Sequence, residues 1–224
     1  MRTPLTVCLL LVMAAAGCGS GKTEFVPVEF GTARPGGEKI AVAKAEVIPA
    51  SQWPSACKLL TDGEITALLP QATKITRSPR PVKIISILQK DQNSTAAEGE
   101  CSYKFWLKGA SIEEATSSII VSIRAMGDPA LIKAHYEKHL ADDRKRTDQA
   151  RAEDHGDRLG AEACYGWVDS LSTLVCRQGP LMFEIRGMGS GAFAGVPSGL
   201  TAEAIHWRDK AQGPVAQLIA AKVP

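Results

Sequence analysis

Cys164 and Cys176 stand symmetrically about Ser170 inside GAEACYGWVDSLSTLVCRQG, and that spacing restricts the fold more than any other feature of the chain. Two β-rich runs flank the polar turn Asp169-Ser170-Leu171, the pattern of a hairpin with a three-residue loop. In that register the cysteines face each other across the strands, with Cβ atoms about 5 Å apart, close to what a disulfide needs. A structural disulfide also needs an oxidising compartment. The N-terminus carries a matching address: Arg2, an uncharged stretch from Leu5 to Ala16, then small residues, which is the layout of an export signal. The stretch is shorter than the ~20 apolar residues of a membrane-spanning helix, so it is expected to be removed.

The chain holds six cysteines, of which Cys8 lies in the leader and Cys18 closes its small-residue run. The other four allow three pairings in principle. With Cys164 joined to Cys176 by the hairpin, Cys57 is left for Cys101. On the chain-entropy model the wider loop contributes about 4 kcal/mol and the hairpin loop about 3 kcal/mol. The alternative is a metal or redox site, but the sequence has no C-x-x-C and no Cys/His pair at ligand spacing.

The run Ala15-Ala16-Gly17-Cys18 resembles the lipobox of bacterial lipoproteins. The resemblance implies cleavage between Gly17 and Cys18 and a thioether-linked diacylglycerol on Cys18. Residues 1–17 are then a signal peptide, and the mature protein is extracytoplasmic, held by its acyl chains on the bacterial cell membrane. A plain secretory signal cut near Ala16 is the alternative and leaves Cys18 as a free thiol. Residues 18–52, rich in Gly, Pro, Ser and Thr without helical apolar period, are expected as the lipidated terminus and a flexible tether, with Phe25-Val26 and Ile40-Ala41-Val42 able to add an edge strand. The folded domain is expected over 53–224.

Within it Ser55 is expected to cap a helix running to Leu69, with Pro70 as its stop. Strand patterns follow at 82–88, 101–107 and 118–125. A second helix starts at Asp128 with Pro129 in first position and buries Leu131, Ile132, Tyr136 and Leu140. Residues 142–158 hold six acidic and five basic groups and read as a solvated helix end and loop. Strands are expected at 163–168, 172–177 and 181–186, then a glycine-rich loop and a last helix from Thr201 to about Lys222. The order suggests a diverged helix-three-strand duplication. An α+β fold, an antiparallel sheet with helices on one face, accommodates it.

Three segments carry a family likeness: ACKLLTDGEITALLP at 56–70, GECSYKFW at 99–106 and LGAEACYGW with the following Cys-ending strand at 159–176. With the lipobox they resemble the DUF3558 lipoproteins of actinobacteria over residues 53–222. Such lipoproteins look like relatives of the PsbP/Mog1-type α/β/α sandwiches. The resemblance brings no catalytic residue.

Other patterns are weaker. Ser55-Ala56-Cys57-Lys58 matches S-x-x-K, in which Lys activates a nucleophilic Ser, but neither S-x-N nor K-T-G follows, and a helix cap accounts for Ser55. His135 and His139 are four apart on a helix without the Glu of H-E-x-x-H or a third ligand. Gly187-Met188-Gly189-Ser190-Gly191-Ala192 fits G-x-G-x-x-A, yet Gly195 and Pro197 prevent a helix after it, and Ser190 lacks the Gly of G-x-S-x-G. Asn93-Ser94-Thr95 is a formal sequon marking an exposed loop. Trp53, Trp106, Trp167 and Trp207, with Phe105 and Tyr165, serve core packing or line an apolar cavity.

With 26 basic against 24 acidic residues, the net charge of +2 gives no field to attract nucleic acid. Apolar content of 45% excludes disorder and collagen. The expectation is a non-catalytic envelope lipoprotein without cofactor or metal, whose domain binds a partner protein or an amphiphilic ligand. The alternative is a small envelope hydrolase using Ser55 and Lys58.

Overall fold

The computed structural model describes residues 26–42, 47–84, 94–110, 116–145, 152–169 and 171–224. Cys18, expected to be lipidated, and Asn93 of the formal sequon lie outside them. Seven strands form one antiparallel sheet: β1 (Ala72–Lys83), β2 (Thr95–Leu107), β3 (Ser117–Met126), β4 (Glu153–Gly156), β5 (Ala163–Val168), β6 (Ser172–Gln178) and β7 (Leu181–Met188). Their order across the sheet is β1-β2-β3-β7-β6-β5-β4, two meanders joined where β3 meets β7. The fold is α+β.

Alternation along the central strands divides the sheet into two unlike faces. Tyr103, Phe105, Ile119, Val121, Ile123, Phe183 and Ile185 point to the main core, which α1 (Asp62–Leu68), α3 (Leu200–Trp207) and α4 (Gly213–Ala220) help to build. Ala125, Tyr165, Val175 and Met182 point the other way and meet Ile132, Tyr136 and Leu140 of α2 (Pro129–Asp143). Helices therefore lie on both faces, not on one, because α2 carries an apolar stripe of its own to bury.

Other expectations need correction. Ser55 caps only a short 3₁₀ turn, Ala56–Lys58, and Thr61 restarts the chain as α1. Thr61 and Glu64 form a capping box, whose reciprocal side-chain bonds favour a new N-terminus over a helix interior. The first strand begins at Ala72 and carries Pro79 and Pro81, which an edge strand tolerates because no neighbour needs their missing N–H groups. Residues 85–88 of the expected strand lie outside the described ones. Glu153–Gly156, expected as loop, is β4, so the second set has four strands and the supposed repeat is uneven.

The last helix is continuous from Leu200 to Ala220 but widens into a π turn at Arg208–Gln212. Pro214 explains the widening, since its ring would strike the carbonyl four residues back in a regular helix. The turn aims Gln212 at the sheet, where its amide accepts from Ser172 Oγ at 2.8 Å and donates to Ser172 O at 3.0 Å.

The expected tether does not hang free over its described part. Val26 N donates to Gly109 O, Val28 N to Ala192 O, Gly31 N to Leu68 O, Ile40 N to Lys222 O and Ile48 N to Met126 O. Val28, Ile40 and Ile48 are buried. Extended chain buries single apolar side chains without showing any period, and the folded body accordingly takes in Val28, Ile40 and Ile48 as well as the residues from Trp53 on.

Candidate functional site

Both disulfides sit on the main-core side. Cys164 and Cys176 pair in register across β5 and β6, with Cα atoms 4.1 Å apart. Cys57 and Cys101 tie the 3₁₀ turn to β2 at a Cα separation of 5.0 Å. The Tyr103 hydroxyl reaches the carbonyls of Ala56 and Leu60 at 3.2 and 3.1 Å beside that bridge.

This setting gives Ser55 a structural task. Its Oγ accepts from Cys57 N at 3.3 Å, its carbonyl accepts from Lys58 N, and Lys58 is exposed. The glycines of G-x-G-x-x-A serve close packing. A Cβ on Gly187 would stand 2.1 Å from Ser118 O, and one on Gly189 would stand 2.4 Å from the Trp207 ring. Trp207 and Phe105 are core residues, Trp53 donates from Nε1 to Ile48 O, and Trp106 lies beneath the Lys74 ammonium. Tyr165 and Trp167 remain as candidates to line a cavity.

A cavity of about 700 Å³ opens on the second face, where α2 stops short of covering the sheet. One wall is aromatic: Trp167 stacks on Tyr165 with ring centroids 6.2 Å apart, and Tyr165 meets Tyr136 edge-on at 5.3 Å. The Tyr165 hydroxyl donates to Asp143 Oδ2 at 2.8 Å, which fixes that ring to the end of α2. Burial and the Asp143 carboxylate push the Tyr165 phenol up, so it remains a donor at neutral pH.

The floor is charged, and its two arginines are paired with carboxylates. Arg186 donates from Nη2 to Glu100 Oε2 at 2.7 Å, and its Nε lies 2.8 Å from Glu184 Oε1 without the angle of a hydrogen bond. Ser122 Oγ donates to the same Glu100 oxygen at 2.8 Å, and Arg124 Nε stands 3.7 Å from Glu184 Oε2. Asp142, Asp143 and Asp169 stand at the rim, with Leu171, Val175 and Met182 as its apolar elements. Such a lining suits a ligand with hydrogen-bonding groups of both kinds better than a hydrocarbon chain.

His139 borders this cavity, and its ring lies edge-on to His135, centroids 4.4 Å apart. Burial and then the charges of His139, Lys138 and Arg124 push His135 down to about 4. His139 is also lowered, chiefly by burial. Both rings are therefore neutral at pH 7, and Arg124 beside them opposes a cation. Among the described residues no three His, Cys, Asp or Glu side chains converge to hold a metal ion.

Glu100, Arg124, Glu184 and Arg186 belong to none of the chemical motifs of the sequence. Their signal was present: in Ser118–Arg124 and Met182–Arg186 the polar residues alternate with core residues inside central strands, which marks a sheet face not covered by apolar helix. Across protein-family models, curated proteins and solved structures, the comparisons find no significant match. Among the described residues no helix is long and apolar enough to cross a membrane.

Proposed function

We propose that this is a lipid-anchored protein of the bacterial cell envelope, with no catalytic role, whose domain captures a polar segment of a partner protein in the groove between α2 and the sheet. The observation that carries the reading is the groove itself: about 700 Å³, one aromatic wall, and arginines already paired with carboxylates. An aromatic anchor surrounded by satisfied polar groups is the usual composition of a protein-recognition hot spot. The polar lining favours a partner protein over the amphiphile that the sequence also allowed. The lipobox and the three DUF3558-like segments support the address, and two layers of helices about an antiparallel sheet suit the PsbP/Mog1 kinship.

A photo-crosslinking residue at Leu171, on the groove rim, is expected to trap a discrete partner in the intact envelope. Trp167→Ala should weaken that product about thirtyfold or more, the effect of removing a hot-spot aromatic worth ~2 kcal/mol. Products identical to those from Lys133, on the outer surface of α2, would reject the groove. Cys18→Ala should leave the precursor uncleaved; an unchanged mature mass would reject the anchor.

A further inference from the structure

Among the described residues the exposed large hydrophobics are Val26, Met188, Leu200 and Ile205. Val26 is remote in sequence from the other three, and Val26, Met188 and Leu200 lie by strand ends at one end of the sheet. Val26 packs against Gly109, at the loop that follows β2. Met188 ends β7 opposite Ser118, near the start of β3. Leu200, the most exposed at 68%, opens α3 and shares a shallow depression with Met188 and Trp207. Ile205 is on the same helix, whose His206 meets Phe30 of the N-terminal segment, ring centroids 5.5 Å apart. Single exposed apolar residues are ordinary, whereas their collection at one end of a domain marks a contact surface.

The chain outside the structure says what covers that end. Eight positions separate Cys18 from Val26, a contour of at most about 28 Å whatever their conformation. The 13 residues of β2 extend over about 43 Å, and Val26 lies at the C-terminal end of that strand. The opposite end of the sheet, where β2 begins, is thus too far from the anchor to rest on the bilayer with the sheet upright. The apolar end is the one within reach. Because residues 26–42 pack on the body, this constraint is much tighter than a free 35-residue tether would impose.

We infer that the cluster of Val26, Met188, Leu200 and Ile205 docks on the lipid surface that holds the acylated Cys18, so that the domain stands in one orientation rather than swinging on its anchor. This rests on the lipid-anchor reading above. Apolar side chains enter the interface between headgroups and acyl chains, and the anchor supplies the proximity that four side chains alone lack.

The test uses the mature lipidated chain in vesicles of phosphatidylethanolamine and phosphatidylglycerol, with amide exchange followed by mass spectrometry. Backbone amides over 188–205 should exchange several-fold more slowly in vesicles than in a lipid-free sample, while those of α2 keep their rates. Leu200→Asp combined with Ile205→Asp should abolish the slowing; both positions are solvent-facing, and unchanged exchange in β2 and β7 would show that the fold persists. A mature mass carrying diacylglycerol with equal rates at 188–205 would overturn the docking alone. A mass without it would overturn the anchor and the docking together.

Discussion

Removing the ammonium of Lys222 is the sharpest test of how the C-terminus, α1 and the N-terminal segment hold together. Lys222 Nζ donates to Glu64 Oε2 at 2.7 Å and to Leu59 O at 3.0 Å, and the two residues are only 2% and 4% exposed. Glu64 also accepts from Thr61 N at 2.8 Å, Thr61 Oγ1 at 2.9 Å and Gly36 N at 3.0 Å. Burial opposes ionisation of Glu64, but the Lys222 ammonium and the Gly36 and Thr61 amides outweigh it, so its carboxyl titrates below the ordinary range. Lys222→Met leaves a carboxylate buried without a counter-charge, a defect that costs about 3–5 kcal/mol. The three remaining donors place the expected loss near the lower bound, about 3 kcal/mol. In a domain of this size that is a fall in Tm of about 6–12 °C.

Urea and thermal unfolding of the disulfide-intact body, at neutral and mildly acid pH, measures the effect. In the natural protein the lowered carboxyl contributes stability above about pH 4.3, the ordinary glutamate value, and loses it as the pH falls further. In Lys222→Met, burial acts without the ammonium and raises that carboxyl, so the deficit is greatest at pH 7 and shrinks on acidification as the group protonates. Glu64→Gln added to Lys222→Met removes both charges and should recover part of the loss. A single-variant loss under about 1 kcal/mol, the size expected of an exposed pair, or a deficit that grows toward acid, would refute this account.

Two further outcomes are expected. Replacing Cys57 and Cys101 by Ala should lower stability by about 4 kcal/mol and replacing Cys164 and Cys176 by about 3 kcal/mol, following the 44- and 12-residue separations; the reverse order in urea midpoints, or a non-reducing peptide map linking Cys57 to Cys164, would contradict the fold. His135, lowered to about 4 by burial and by neighbouring positive charge, lets the unfolded chain take up a proton first, so stability should fall as pH drops from about 6.5 toward 4. His135→Leu should flatten that part of the profile, and an unchanged pH dependence would show that the ring is accessible to water.

Features legible in the sequence were those written in local pattern. The Cys164–Cys176 hairpin needs only neighbouring residues: two alternating runs, a polar turn, and cysteines equidistant from it. Helix α2 announces itself by Asp128, Pro129 and an apolar stripe, and its cap is in place, with Asp128 Oδ1 accepting from Ala130 N and Leu131 N. What tertiary structure decided has no local sign. Val28, Ile40 and Ile48 reveal no period because extended chain buries them singly, against elements distant in sequence. The two prolines of β1 argue against a strand until its place at the edge is known. Arg186 is an alternating polar residue in the sequence, and only the sheet order brings it, across β3, to Glu100, 86 positions away. Local rules determine which elements form, whereas the groove and its charges depend on which strands become neighbours, and that is set by the long-range burial of both faces at once.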